Sequence, residues 1–118
     1  MSMQVDSLII SVAGLNINET FRKNVEQIAL NNYTIYYAIM TPEPQNQHDP
    51  NAIAVHLNTS GGALQIGYVS KRDHDTLRLC IPNMWNIQYY GYIFSSGVGY
   101  DNNYYCQIQT SPKYILNT

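Results

Sequence analysis

The chain has 118 residues, with six Lys and Arg against eight Asp and Glu and a net charge of −2. That length builds one domain with a core and leaves no room for a second catalytic module, so residues 1–118 read as a single domain. The charge balance excludes nucleic-acid binding by bulk attraction; such a partner needs a local basic patch, and Lys71, Arg72 and Arg78 supply half of the basic residues within eight positions.

Leu8 to Ala13 is a short apolar run ended by Gly14, suited to a buried first strand. Asn16 and Glu19 have capping-box spacing, and Phe21, Val25, Ile28 and Ala29 follow at i, i+4, i+7 and i+8. The spacing predicts an amphipathic helix of about a dozen residues, ended by Asn31 and Asn32. Arg22, Lys23 and Glu26 give it a mixed-sign, solvated face. Thr34 to Met40, rich in β-branched residues and Tyr, reads as a strand, and Thr41 to Asn51 as a polar loop holding Pro44 and Pro50.

Ile53, Val55 and Leu57 then alternate with Ala52, Ala54 and His56, the period of a half-buried strand. Asn58 to Gly62 is a five-residue turn cluster, after which Leu64, Ile66 and Tyr68 alternate with Gln65, Gly67 and Val69. This predicts a hairpin whose mouth brings the 46–51 loop near Tyr68 and Lys71. Ser70 with Asp73 has the spacing of a helix N-cap with an acid in the first turn, and Leu77, Cys80 and Ile81 make one apolar stripe before Pro82. His74 is expected on the surface of that short helix and His56 in a strand, hydrogen-bonded.

Met84 to Phe94 is the longest strand candidate, with Trp85, Ile87, Tyr89 and Ile93 on one face and a bulge or bend expected at Gly91. Ser95 to Asn103 reads as a loop and Tyr104 to Thr110 as a further strand. Ser111 to Thr118 is a tail that either packs a last edge through Tyr114 and Leu116 or frays. The order β-α-β-β-β-α-β-β with short connections predicts a β-rich α+β fold, a small curved barrel of about six strands with two short helices.

The run Asn46, His48, Asp49, Pro50, Asn51, Ala52, Ile53, Ala54, Val55, followed by Ile66, Gly67, Tyr68, Val69 and Lys71, resembles the HIRAN domain. That family is a small OB-like barrel found on Swi/Snf-type helicases and as short free-standing proteins. Its pattern is Asn-Pro-Tyr-Asp-x-Asn-Ala-Ile-x-Val and then Gly-Tyr or Gly-His. The resemblance covers about thirty residues at the motif. It implies a non-catalytic module binding single-stranded DNA at its 3′ end, with polar side chains on the terminal hydroxyl and aromatic rings on the last bases. Asn46 and Asp49 match the polar positions, His48 stands where Tyr is usual, Tyr68 fills the Gly-Tyr position, Lys71 matches a phosphate-contacting Lys, and Arg72 adjoins it. DNA-binding members carry Arg and Tyr before the first Gly, where this chain has Ile10, Ser11, Val12 and Ala13.

The residues themselves make the implied chemistry coherent. A carboxylate accepts a bond from a hydroxyl, His and Tyr offer π-faces, and Lys neutralises phosphate. Asn46 and Asp49 beside prolines are equally ordinary turn formers whose side chains bond their own backbone. His48–Asp49 and Asp73–His74–Asp75 have no metal-ligand or catalytic spacing, and there is no Cys-x-x-Cys, phosphate-binding glycine loop or nucleophile elbow, so neither enzyme activity nor a cofactor or metal is expected. Eleven Tyr are too many for so short a chain to bury. Tyr89, Tyr90, Tyr92, Tyr100, Tyr104 and Tyr105 are therefore candidates for a sticky face that takes a protein partner or a second copy. Cys80 and Cys106 permit one disulfide without demanding it. No apolar run nears the roughly 18 residues that span a bilayer, and the N-terminus lacks a secretion-signal pattern, which reads as an intracellular protein with no membrane role.

Overall fold

A computed structural model describes residues 7–81 and 86–116. Six strands, β1 (Leu8–Ala13), β2 (Ile35–Pro42), β3 (Ile53–Thr59), β4 (Gly62–Val69), β5 (Tyr89–Val98) and β6 (Tyr104–Ile115), close into an antiparallel barrel in the order β1-β4-β3-β2-β5-β6. Two helices, α1 (Glu19–Leu30) and α2 (His74–Cys80), complete the β-rich α+β fold that the order of elements predicts. Each of the six strands is paired with a neighbour on both sides, the β1–β4 seam through two residue pairs.

The strands exist because their alternation has somewhere to point. Leu8, Ile10 and Val12 of β1 are buried while Ile9 and Ala13 are exposed, and Ile53, Val55 and Leu57 of β3 meet them in one core with Met40, Val69, Tyr89 and Ile108. Ile10, Ile53 and Ile108 are wholly buried, and truncating any of them to Ala is expected to cost about 2–5 kcal/mol.

α1 starts two residues later than the capping-box spacing suggests. Asn18 is the N-cap, its Oδ1 accepting the Phe21 N–H at 3.0 Å. Asn16 instead joins the two ends of the chain: its Nδ2 donates to the Tyr104 carbonyl and its Oδ1 accepts the Tyr104 N–H, both at 2.8 Å. The helix's outer face carries the expected mixed charges, paired as Lys23–Glu19 at 3.2 Å and Arg22–Glu26 at 3.9 Å. Its inner face packs on β4, where Asn24 Nδ2 donates to the Gln65 carbonyl at 2.7 Å.

Other boundaries move because partners extend them. Thr41 and Pro42 pair with Ala54 and Ile53, lengthening β2, and Asn58 and Thr59 pair with Ala63 and Gly62, leaving only Ser60 and Gly61 as the hairpin turn instead of five residues. Thr59 Oγ1 holds that turn by accepting the Gly61 N–H and donating to the Gly62 carbonyl. The expected tail is strand as far as Ile115, with the Leu116 N–H bonded to the Gln88 carbonyl. Met84 and Trp85 lie outside the described residues, and β5 runs on to Val98. Gly91 is buried at an irregularity of the β5–β6 ladder, as expected of a bend; a Cβ there would stand 2.5 Å from the Gln109 carbonyl oxygen. Cys80 and Cys106 are free thiols, and burial pushes the Cys106 thiol up to about 11.

Candidate functional site

The segment between β2 and β3, residues 43–52, is folded by its own polar side chains. The Glu43 N–H donates to the Ala52 carbonyl at 2.8 Å, closing the loop's base. Asn46 Oδ1 accepts the N–H groups of His48 and Asp49 at 2.9 and 3.0 Å, and its Nδ2 donates to Glu43 Oε1 at 3.0 Å. Asp49 Oδ1 accepts the Asn51 N–H at 2.9 Å. The turn-forming role of Asn46 and Asp49 is thus real, and it engages the Asn46 side chain at both ends. Asp49 differs, because its second oxygen faces Lys71 Nζ at 4.0 Å.

A register shift in the β3–β4 ladder supplies the next wall. Val55 pairs with Gly67 and His56 with Gln65, so Ile66 is the extra residue of a bulge. Ile66 is buried, Gly67 and Val69 turn inward, and Tyr68 is released to a half-exposed position, where the unbroken alternation would have kept it beside Ile66. Its ring meets Phe21 of α1 edge-on, centroids 5.8 Å apart. Gly67 lets β4 lie this close to β1, since a Cβ there would stand 2.2 Å from the Ala13 carbonyl oxygen.

The chain then makes a 3₁₀ turn at Lys71–Asp73 before α2. Ser70 stands at its N-cap, without a side-chain cap bond, and Asp73 is the acid of its first turn as expected; the Asp73 Oδ2 also accepts the Ser11 N–H at 2.8 Å, tying the turn to β1. His74 is buried, not on the helix surface as expected. It stands three residues before Leu77 and seven before Ile81, both buried, so the apolar stripe that was visible in the sequence extends one turn back to include it.

These pieces enclose a groove of about 520 Å³ lined by Asn46, His48, Asp49, Tyr68, Lys71 and His74, with Ala13, Asn18, Phe21, Ala52 and Val69 completing it. Five of the six residues singled out in the sequence therefore share one cavity. Phe21 and Asn18 were missed, because helix periodicity and capping account for them without a site. Arg72 lies apart: its Nη2 donates to Ser11 Oγ at 2.7 Å and it borders a neighbouring hollow. Arg78 pairs with Asp75 at 3.9 Å on α2. The three cations therefore do not converge on the loop, and the groove holds one lysine ammonium beside one carboxylate. Among the described residues no group of three His, Cys, Asp or Glu stands close enough to hold a metal ion, and no helix is long and apolar enough to cross a membrane.

Elsewhere the outer surface of β2, β5 and β6 gathers tyrosines. Tyr90 and Tyr114 stack at 4.8 Å, Tyr92 meets both edge-on at 6.0 and 5.9 Å, and Tyr37 meets Tyr90 at 6.2 Å. The membership differs from the sequence expectation. Tyr89 is wholly buried, Tyr104 is half-buried, and Tyr37 and Tyr114 join instead. Comparison of the chain with protein-family models, curated proteins and solved structures returns no match.

Proposed function

We propose that this protein is a non-catalytic module of the HIRAN kind that binds single-stranded DNA by its 3′ end, in the groove between the 43–52 loop, β4 and the 3₁₀ turn. The observation that carries this reading is the joint lining of one groove by Asn46, His48, Asp49, Tyr68 and Lys71, residues from separate segments. Each then has a distinct task. Asn46 shapes the loop, the Asp49 carboxylate accepts the terminal hydroxyl, Tyr68 and His48 offer faces to the last base, and Lys71 meets its phosphate. With one ammonium at the groove, recognition rests on the hydroxyl and the rings more than on charge. Each phosphate neutralised on a single strand adds only about −0.7 to the salt slope.

The test is fluorescence anisotropy with a short labelled strand at low and moderate salt, comparing a free 3′ hydroxyl with a 3′ phosphate, repeated with Asp49→Ala. Binding that requires the free hydroxyl and is lost in the variant is expected. No binding even at low salt would overturn the reading. It would favour a second one, a protein-interaction module acting through the Tyr37, Tyr90, Tyr92 and Tyr114 cluster, since packed, part-exposed tyrosines supply large contact area at little entropic cost.

A further inference from the structure

The β1–β6 ladder runs from Leu8↔Thr110 to Ser11↔Gln107 and stops, because Val12 and Ala13 turn to pair with Val69 and Tyr68 of β4. The two segments are tied again where the Asn16 side chain bonds the Tyr104 backbone. Between those points the barrel wall opens into a hollow of about 460 Å³, bordered by Ser11, Gly14, Arg72, Tyr105 and Gln107. Two features set this hollow beside the loop groove. Ala13 lines both cavities, so the two adjoin across β1, and Gly14 beside it borders the hollow. Arg72 stands at the hollow's rim, its guanidinium bonded only to Ser11 Oγ among the described residues, so its remaining N–H donors are open to an incoming acceptor.

We propose that the hollow is a second compartment of the same site, one that takes an internal phosphodiester of a single strand. The strand's end sits in the loop groove, its backbone crosses β1 over Ala13 and Gly14, and the Arg72 guanidinium binds the phosphate that follows. A planar guanidinium fork suits two phosphate oxygens, and Tyr105, 44% exposed at the hollow's edge, offers a ring to the neighbouring base. This inference rests on the nucleic-acid reading above and adds the direction in which the strand leaves the groove. It also gives Arg72, absent from the groove, a task of its own.

The test compares labelled dT2 with dT6 by anisotropy across a salt series, for the wild-type chain, Arg72→Gln, Arg72→Lys, Gln107→Glu and Asp49→Ala, with a thermal melt of each. Wild type is expected to bind dT6 more tightly than dT2. In Arg72→Gln that advantage is expected to shrink about tenfold, the size of one charge-assisted contact, and the dT6 salt slope to flatten by about 0.7. Arg72→Lys is expected to restore the slope and part of the affinity. Gln107→Glu places a carboxylate in the hollow while keeping Arg72 on Ser11, and is expected to reduce the dT6 advantage even if Arg72→Gln does not fold. An unchanged dT6 advantage and slope in the folded variants, with binding still lost in Asp49→Ala, would overturn the second compartment and leave the groove standing. Failure of wild type to bind either oligonucleotide would overturn both.

Discussion

Gly67→Ala tests the contact on which the groove depends. The added Cβ would stand 2.2 Å from the Ala13 carbonyl oxygen and 2.8 Å from Val12 Cγ1. The first neighbour is backbone held in the β1–β4 pairing, so it has little freedom to yield. Overpacking of this kind costs about 1–3 kcal/mol, and a backbone clash belongs at the upper end. The Gly67 φ of +159° is one that an L side chain rarely adopts, so no entropic gain offsets the clash. The net expectation is a loss of about 3 kcal/mol, and at roughly 4 °C per kcal/mol for a chain of this size a melting point about 12 °C lower. Gly62→Ala is the control, since nothing lies within 4 Å of its Cβ and only its φ of +106° is unfavourable, an effect of about 1–2 kcal/mol. Calorimetry of both variants gives the comparison. A Gly67→Ala protein as stable as wild type, or more so, would refute the close approach of β4 to β1.

Three further outcomes are expected. Asn16→Ala removes two bonds of 2.8 Å to the Tyr104 backbone, and should lower stability by about 2 kcal/mol in a urea titration. Tyr89→Phe deletes a buried hydroxyl with no hydrogen-bond partner among the described residues; a gain of about 1 kcal/mol in the same titration is expected, because an unsatisfied buried group is removed with its shape kept. Burial holds the His56 pKa below 6.5 against an opposing pull from Glu43. A lowered His pKa leaves stability untouched above the unfolded value and removes it as pH falls from 6.5 through the folded value. His56→Gln should therefore lose less stability than wild type between neutral pH and pH 5, which urea midpoints at the two pH values would show.

Element type and order were legible in the sequence because alternation and helical spacing report which face of a segment meets the core. β1 is read to the residue on that basis. The rest depended on partners that spacing does not reveal. Thr41, Pro42, Asn58 and Thr59 belong to strands only because β2, β3 and β4 lie beside one another. Asn16 has the look of a cap, yet its partner is 88 residues away. Tyr68 was singled out for its place in a motif, but what exposes it is the bulge at Ile66, and a strict period of two hides a bulge. The buried place of His74 was available from the positions of Leu77 and Ile81, and was obscured by the two aspartates that flank it.

The pairing of Asp49 with Lys71 carries most of the groove's selectivity on the proposed reading. An ammonium and a carboxylate 4.0 Å apart attract by roughly 1 kcal/mol in bulk water and about 4 kcal/mol at the effective dielectric of a protein surface. Exposure of Lys71 and the entropy of its long side chain hold the net stabilisation near the low figure, so the lysine is free to turn to an incoming phosphate. The Asp49 carboxylate has no such freedom, since its other oxygen is fixed on the Asn51 N–H. A phosphate brought to that fixed charge is repelled with the same order of energy, whereas a hydroxyl donates to it. On the proposed reading, one mobile cation beside one immobile anion would accept the backbone of a strand and reject a phosphorylated end, a discrimination that a groove lined by lysines alone would not make.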